Sequence, residues 1–592
     1  MKRFSITGLG CAACVARVEK ATNAVPGVES CSVSLLTNEM LVEGNANSAE
    51  IVSAVEKAGY GCSEIIEENK EDDNKPEDEE TSKLLIRLIV SAILLAVQMI
   101  CMRRGIKYAE IVICIAVMII NRRFFISGFK SIIHASPNMD ALVAIGSLAA
   151  FVYGYFDSAS MILTFITVGK TLESVSKGRT TNALKDLIEM APKTDLKTGD
   201  EFEVFPGNKF PADAVVIEGA ALVDESMLTG ESDPVEKNKG DKVCAATLNR
   251  KGTVKCRATA VGEDTTLARI IRLVSDTAAT KAPIARTADK VAAVFVPCVI
   301  GIAILVTVIW LLIGQPFGTA LERGISVLVI SCPCAMGLAT PVAVMVASGR
   351  GAKNGILFKT AASIEETGRI QAVALDKTGT LTYGSKEISD LESLEGSSEE
   401  IQTRANTLRP EAAEAVGALR KLGLEVWMIT GDREQKAKEI AASCGIENVI
   451  WEVLPGGKSD AVATLQKDGR KVVMVGDGIN DAPALTKADV GIAVGTGTDV
   501  AIDSADIVVM KGDLADVVSA IKLSRATLRN IRQNLFWAFF YNIIAIPVAA
   551  GALSGLGINL TPGIAALCMS LSSVCVVTNA LRLNIVDIKD KA

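Results

Sequence analysis

Several things are scarce in this sequence. One histidine, His134, stands in 592 residues. There is no basic excess: 61 Lys and Arg face 68 Asp and Glu, a net charge of −7, which gives no reason to expect nucleic-acid binding. The 14 cysteines offer no disulfide framework, because several lie inside apolar segments. The opening MKRFSITGLG lacks the apolar core of a cleaved signal peptide, so the soluble segments are expected in the cytosol. Apolar residues, by contrast, are abundant. They make up 49% of the chain, and mean hydropathy is +0.35. Both values are high for a soluble protein, so membrane spans are expected. The length implies several domains.

The chain is organised around one stretch. Ile370 to Leu375 is an apolar run that reads as a buried strand, and it ends in Asp376-Lys377-Thr378-Gly379-Thr380-Leu381-Thr382. A carboxylate at the C-terminal end of a strand lies where open α/β sheets bind ligands. With Mg²⁺ and a phosphate to activate its target, Asp376 can act as a nucleophile and form an aspartyl phosphate. Asp, Thr and Gly also make ordinary turns, which is the competing reading of any four of these residues. The whole DKTGTLT string resembles the signature of P-type ATPases, cation pumps that phosphorylate themselves on this aspartate. The resemblance implies ATP as phosphoryl donor, with Thr378 joining Asp376 both in catalysis and in holding Mg²⁺.

Further motifs follow in order. Thr430-Gly431-Asp432 ends the strand expected at Val426–Ile429, where a hydroxyl and glycine-freed amides can bind phosphate oxygens. Lys458 is placed to neutralise phosphate charge, as in haloacid-dehalogenase-like folds. Val472–Val475 reads as a strand leading into Gly476-Asp477-Gly478-Ile479-Asn480-Asp481. Asp477 and Asp481 are hard oxygen donors at a spacing suited to Mg²⁺. Alternating strands and helices over 348–382 and 408–530 imply a Rossmann-like α/β phosphorylation domain with a parallel sheet.

Residues 1–67 read as βαββαβ, a ferredoxin-like α+β unit, with two strands expected within Val33–Val42. Cys11 and Cys14 lie where a loop enters a helix, which favours thiolate. Two soft thiolates suit Cu⁺, and a redox CxxC is the rival reading. The unit resembles a heavy-metal-associated domain. The acidic run over 68–83 reads as a solvated linker.

Eight apolar spans are expected: Leu84–Met102, Tyr108–Phe125, Met139–Phe156, Ser158–Leu172, Val291–Ile313, Gly324–Ala347, Leu535–Leu553 and Pro562–Leu581. They fall in three blocks, 84–173, 291–347 and 531–583. An even number keeps both termini on one side. Lys83, Arg122, Arg123, Lys130, Lys170, Lys177 and Arg179 mark that side as cytoplasmic, while Arg103, Arg104 and Lys107 run against the rule. Two leading spans before six others resemble the heavy-metal branch of P-type ATPases, a plasma-membrane location being expected.

The sixth span carries Cys332-Pro333-Cys334. Proline breaks a helix, and broken helices at membrane depth line cavities or ion sites. Two thiols flanking the break are soft ligands, though buried structural cysteines are common too. The CPC motif resembles the Cu⁺-transporting subgroup. The resemblance extends the transmembrane metal site to Tyr541, Asn542, Met569 and Ser573, and it does not separate Cu⁺ from Ag⁺. It also implies a metal-uptake site at the cytoplasmic face formed by Met139, Glu173 and Asp289, and a release role for Asp157. A cytosolic copper chaperone and the lipid bilayer are the expected partners, with no nucleic acid among them.

Residues 174–290 form a soluble insert whose middle alternates like strands. Its Thr229-Gly230-Glu231 resembles the loop of the mainly-β actuator domain, in which Glu231 would position the water that hydrolyses the phosphoenzyme. Pro192–Thr198 runs almost straight into Gly199-Asp200, so this actuator is expected to be trimmed. A second departure is larger. In P-type ATPases the nucleotide-binding domain lies between DKTGTLT and Leu408-Arg409-Pro410. Here only 383–407 fills that space, polar and acidic, whereas a domain needs about 50 residues or more. The histidine–proline pair with which the heavy-metal branch holds nucleotide is absent, since Ala135 follows the only histidine. The expected function is ATP-driven Cu⁺ export with weak ATP binding. The alternative is a copper-binding membrane protein, or a degenerate pump, without ATP-driven transport.

Overall fold

The computed structural model describes residues 2–9, 12–34, 38–65, 76–133, 139–190, 192, 194–226, 233–331, 334–383, 407–477, 479–495 and 503–588. The chain forms two compact units. One comprises Met1–Thr181, Ala278–Ala343 and Asn530–Arg582; the other comprises Asn182–Thr277, Val344–Arg529 and Leu583–Ala592.

The first unit opens with a four-stranded antiparallel sheet. Its strands stand in the order Val28–Val33, Glu39–Gly44, Lys2–Thr7 and Gly61–Glu64, accompanied by helices Ala12–Asn23 and Ser48–Lys57. Alternation in Phe4, Ile6, Met40 and Val42 turns one sheet face onto Val15, Val18, Ile51 and Val55. The ferredoxin-like order matches the sequence reading, but the hairpin lies elsewhere. Its strands are 28–33 and 39–44 rather than both within Val33–Val42. The chain turns where Asn38 adopts φ 56°, a conformation that asparagine tolerates.

Four helices among the described residues are long and apolar enough to cross a membrane: Thr81–Arg103, Pro283–Leu312, Phe317–Ala352 and Pro562–Ile585. A fifth crossing arises if the bent pair Lys107–Ile120 and Arg122–Ile133 is one span. Asp140–Tyr153 is a shorter apolar helix. The spans expected at 158–172 and 535–553 fall on the long helices Phe156–Met190 and Leu514–Ala549. The second expected span, Tyr108–Phe125, is corrected: its helix stops at Ile120 and the chain turns by 66°. Asn121 is the cause. Only 2% exposed, it donates to Ser91 Oγ at 3.0 Å and accepts from Thr167 Oγ1 at 3.0 Å, so the side chain anchors the corner. Arg122 and Arg123 then lie on an amphipathic helix with exposed charge. In the sixth span the described helical segments are Phe317–Ile330 and Cys334–Ala352, and Cys332-Pro333, where the break was expected, lie outside the described residues. Leu163, Ile166, Val299, Val329, Ala565 and Met569 belong to one core that joins these helices.

In the second unit two small sheets form the mainly-β part. One holds strands Leu248–Lys251, Ala221–Asp224 and Val235–Lys237; the other holds Glu201–Val204, Val254–Ala260, Asp213–Gly219 and Lys242–Val243. They enclose Phe210, Val216, Val223, Val254 and Cys256. The buried Asp213 accepts from Ala245 N at 2.7 Å and Thr266 N at 2.6 Å, tying the sheet to helix Thr266–Ala279.

The rest of this unit is a seven-stranded sheet in the order Ile356–Phe358, Ile507–Val509, Val490–Val494, Val472–Gly476, Ala372–Asp376, Glu425–Ile429 and Asn448–Ile450. All neighbours are parallel except the first pair. Ala372–Asp376 is an interior strand and buried throughout, as its unbroken apolar run required. After it the chain pairs first on one side with 425–429 and later on the other with 472–476. Asp376 therefore sits at the switch point of the sheet.

Candidate phosphorylation centre and metal path

Two strand ends and the start of a helix converge on Asp376. The strand Glu425–Ile429 delivers Thr430 and Asp432, Val472–Gly476 delivers Asp477 and Asp481, and helix Lys458–Gln466 begins with Lys458. Lys458 Nζ lies 2.7 Å from Asp376 Oδ1 and 2.6 Å from Asp481 Oδ1. Asp376 and Asp481 are 4% and 2% exposed, so one ammonium serves two buried carboxylates. Burial, then the charge of Asp481, pushes the Asp376 carboxyl up to about 7, against the pull of Lys458. Burial lowers Lys458, but the charges of Asp376 and Asp481 more than reverse it and hold the ammonium above its ordinary value.

One carboxylate oxygen each from Asp376, Asp477 and Asp481 lie within 4.8 Å of one another. Three hard donors against one lysine leave an excess of negative charge, and that donor set fits Mg²⁺. The backbone is shaped around it. Gly379 has φ 79°, and a Cβ there would run into the Asp477 carboxylate; a Cβ on Gly476 would come within 2.7 Å of Asp481 Oδ2. Thr430 is 2% exposed, and its Oγ1 accepts from Asp432 N at 3.1 Å.

Thr378 is exposed, whereas Thr380 is fully buried with an unpaired hydroxyl. Lys377, buried in the same string, pairs with Asp432 at 2.9 Å. Arg409 stacks over Tyr383 at 5.1 Å and donates to Gly379 O at 3.2 Å, clamping the turn after Asp376. Sequence reasoning missed these three. A charged residue inside an apolar strand end was a usable signal for Lys377, because a buried ammonium needs a partner. Glu231 lies outside the described residues.

In the membrane helices Tyr541, Asn542 and Met569 line one cavity of about 10 Å³. Ser573 is buried on helix Pro562–Leu581, and its neighbour Ser572 lines the cavity instead. Cys332 and the Cys334 side chain lie outside the described residues, as do Cys11 and the Met139 side chain. Cys14 is buried at the start of helix Ala12–Asn23. Glu173 and Asp289 line different cavities, of about 460 and 30 Å³. Asp289 Oδ2 is 2.7 Å from Lys281 Nζ, which also reaches Glu19 Oε1 of the N-terminal domain at 3.0 Å. Asp157 lies in the first turn of helix Phe156–Met190.

A buried aspartate at a sheet's switch point, with a lysine and two further carboxylates, on a chain with membrane-crossing helices, defines a membrane protein bearing a phosphoryl-transfer domain. Residues 3–61 match the heavy-metal-associated domain, 175–275 the P-type ATPase actuator domain, and 396–489 the haloacid dehalogenase-like hydrolases. A copper-exporting P-type ATPase of Staphylococcus aureus (strain JH9) is 37% identical over 723 residues, spanning 98% of this chain and 89% of the relative. The protein of strain Newman agrees equally well. The chain belongs to the P-type ATPases. The aligned length exceeds the 592 residues here, so the relatives carry stretches that have no counterpart in this chain. A crystal structure of a zinc-transporting PIB-type ATPase in the E2.Pi state is 27% identical, with 85% of this chain and 99% of that one covered and a TM-score of 0.49.

Proposed function

We propose that the chain exports Cu⁺ across the plasma membrane, driven by phosphorylation of Asp376. The observation that carries the chemistry is Asp376 at the switch point, bonded to the lysine that also holds Asp481. Asp376 attacks the γ-phosphorus of ATP; the bond to the bridging oxygen breaks and ADP leaves. Lys458 offsets charge on the transferring phosphoryl group, and Thr430 sits at the adjacent strand end to receive a phosphate oxygen. Asp376, Asp477 and Asp481 would hold Mg²⁺, which would supply neutralisation of the phosphate oxygens. Water then cleaves the acyl phosphate to release inorganic phosphate and restore the carboxylate, with Glu231 positioning that water by its likeness to the actuator loop.

The metal reading is supported by relatives named as copper exporters and by a cavity shared by Tyr541, Asn542 and Met569. Thioether and thiolate donors favour Cu⁺ or Ag⁺. Eight spans with cytoplasmic soluble domains, and delivery by a cytosolic copper chaperone, complete the reading. The second reading is a protein that binds copper without ATP-driven transport. It is favoured by the shortness of the stretch between Tyr383 and Thr407. Acid-stable ³²P labelling separates the two. With Cu⁺ and Mg²⁺, labelling from millimolar ATP that is lost in Asp376→Asn is expected for a pump with weak nucleotide binding. No labelling from ATP, alongside labelling from acetyl phosphate, would favour the second reading.

A further inference from the structure

Asp289 and the intramembrane residues line two separate small cavities, and one residue borders both. The first, about 30 Å³, is bounded by Asp289, Lys281, Thr340 and Met336. The second, about 10 Å³, is bounded by Tyr541, Asn542, Met569 and again Met336. Met336 is 5% exposed and follows Cys334 by two residues on helix Cys334–Ala352.

Size and chemistry together narrow what can pass. One water needs roughly 10–15 Å³ of such space, so the smaller cavity has room for about one water-sized guest. A bare ion must find a donor at every stage. The Asp289 carboxylate is hard and Met569 is soft; a thioether between them suits a soft cation. Met336 packs in a cluster with Ala288, Ala292, Ala339, Ala538 and Val576, with Phe539 against it, and methionine is an unbranched side chain with three rotatable bonds.

We propose that Met336 is a relay ligand for Cu⁺, taking the ion on the Asp289 side and passing it to the side of Tyr541, Asn542 and Met569. The ion exchanges one donor for the next and keeps its single positive charge. This rests on the Cu⁺ reading above.

The test uses the full chain with Cys11→Ser and Cys14→Ser, so that only the membrane sites bind. Cu⁺ is presented as its complex with a chromogenic chelator, and loading is followed by stopped flow. Met336→Leu preserves volume and removes only the sulfur; Met336→Ile is the second variant. The relay requires loading about tenfold slower in both, with equilibrium stoichiometry and thermal midpoint retained. Wild-type loading rates in both variants overturn it, as does a fall in stoichiometry matched by a fall in thermal midpoint, which marks a packing role. Cys332→Ser with Cys334→Ser tests the underlying reading separately. If that pair leaves binding undiminished, the Cu⁺ site itself is wrong, whatever Met336 does.

Discussion

Two carboxylates that share one ammonium form a poised arrangement at the residue scale. Removing Lys458 leaves Asp376 and Asp481 facing each other without compensation, and breaking such a buried pair costs about 3–5 kcal/mol. Lys458→Met is therefore expected to lower the thermal midpoint and abolish phosphorylation together, read by calorimetry and ³²P labelling. The raised carboxyl of Asp376 has a pH consequence. Between the ordinary value of 3.8 and about 7 the folded state holds a proton that the unfolded chain has released, so stability falls as pH rises through that window and levels above it. The thermal midpoint without Mg²⁺ should drop from pH 5 to pH 7, and Asp376→Asn should flatten that slope. Gly379 carries a steric prediction. Alanine there meets the Asp477 carboxylate and also strains a left-handed backbone by about 1–2 kcal/mol. Mg²⁺ binding by isothermal titration should weaken roughly 10–100-fold. A Gly379→Ala protein that binds Mg²⁺ normally would remove Asp477 from the site. Asp376, Asp477, Asp481 and Lys458 were all legible in the sequence, because phosphoryl transfer demands those residue types in that order. Arg409 and Met336 were not, because their roles depend on what another segment places beside them.

At the scale of elements, one lysine links the N-terminal domain to a membrane helix. Lys281 bridges Glu19 of helix Ala12–Asn23 and Asp289 of helix Pro283–Leu312, with side chains only 12%, 20% and 16% exposed. Such shielded charged hydrogen bonds contribute about 1.5–3 kcal/mol each. Lys281→Ala should loosen the domain, seen as at least tenfold faster hydrogen exchange across 12–23; unchanged exchange would show that the bridge holds nothing. Within that domain Cys31 is pushed up to about 12, first by burial and then by the charge of Glu19. It stays a neutral thiol near pH 7, and native alkylation at pH 8 should leave it unmodified. Helix positions were legible from apolar runs. The corner at Asn121 was not, because it depends on partners far along the chain, Ser91 and Thr167.

Over the whole molecule, the stretch in which the sequence leaves no room for a nucleotide-binding domain is flanked by paired ends. Tyr383 N donates to Thr407 O at 3.2 Å and Thr382 bridges Leu408, so the chain leaves and returns at one point. Arg409, stacked on Tyr383, fastens the junction. What hangs between paired ends changes loop entropy only slowly with length, so the phosphorylation domain does not depend on it. Replacing 384–406 with the matching segment of a copper-exporting relative should leave the thermal midpoint of this domain unchanged and raise labelling from micromolar ATP at least tenfold. If the graft folds and ATP labelling does not rise, the short stretch is not what limits the chain.

The sequence alone suggested the chemistry: which carboxylate would accept phosphate, which carboxylates would suit a hard metal, and which sulfur-bearing motifs would suit a soft one. Those follow from residue type and order along one strand or span, and local order is written directly in the chain. The tertiary structure decided who stands next to whom. It set Lys458 between Asp376 and Asp481, placed Asp289 and Glu173 on separate cavities, and gave Met336 a side in two of them. Proximity across long separations arises only when buried faces pack, and no stretch of sequence carries that information by itself.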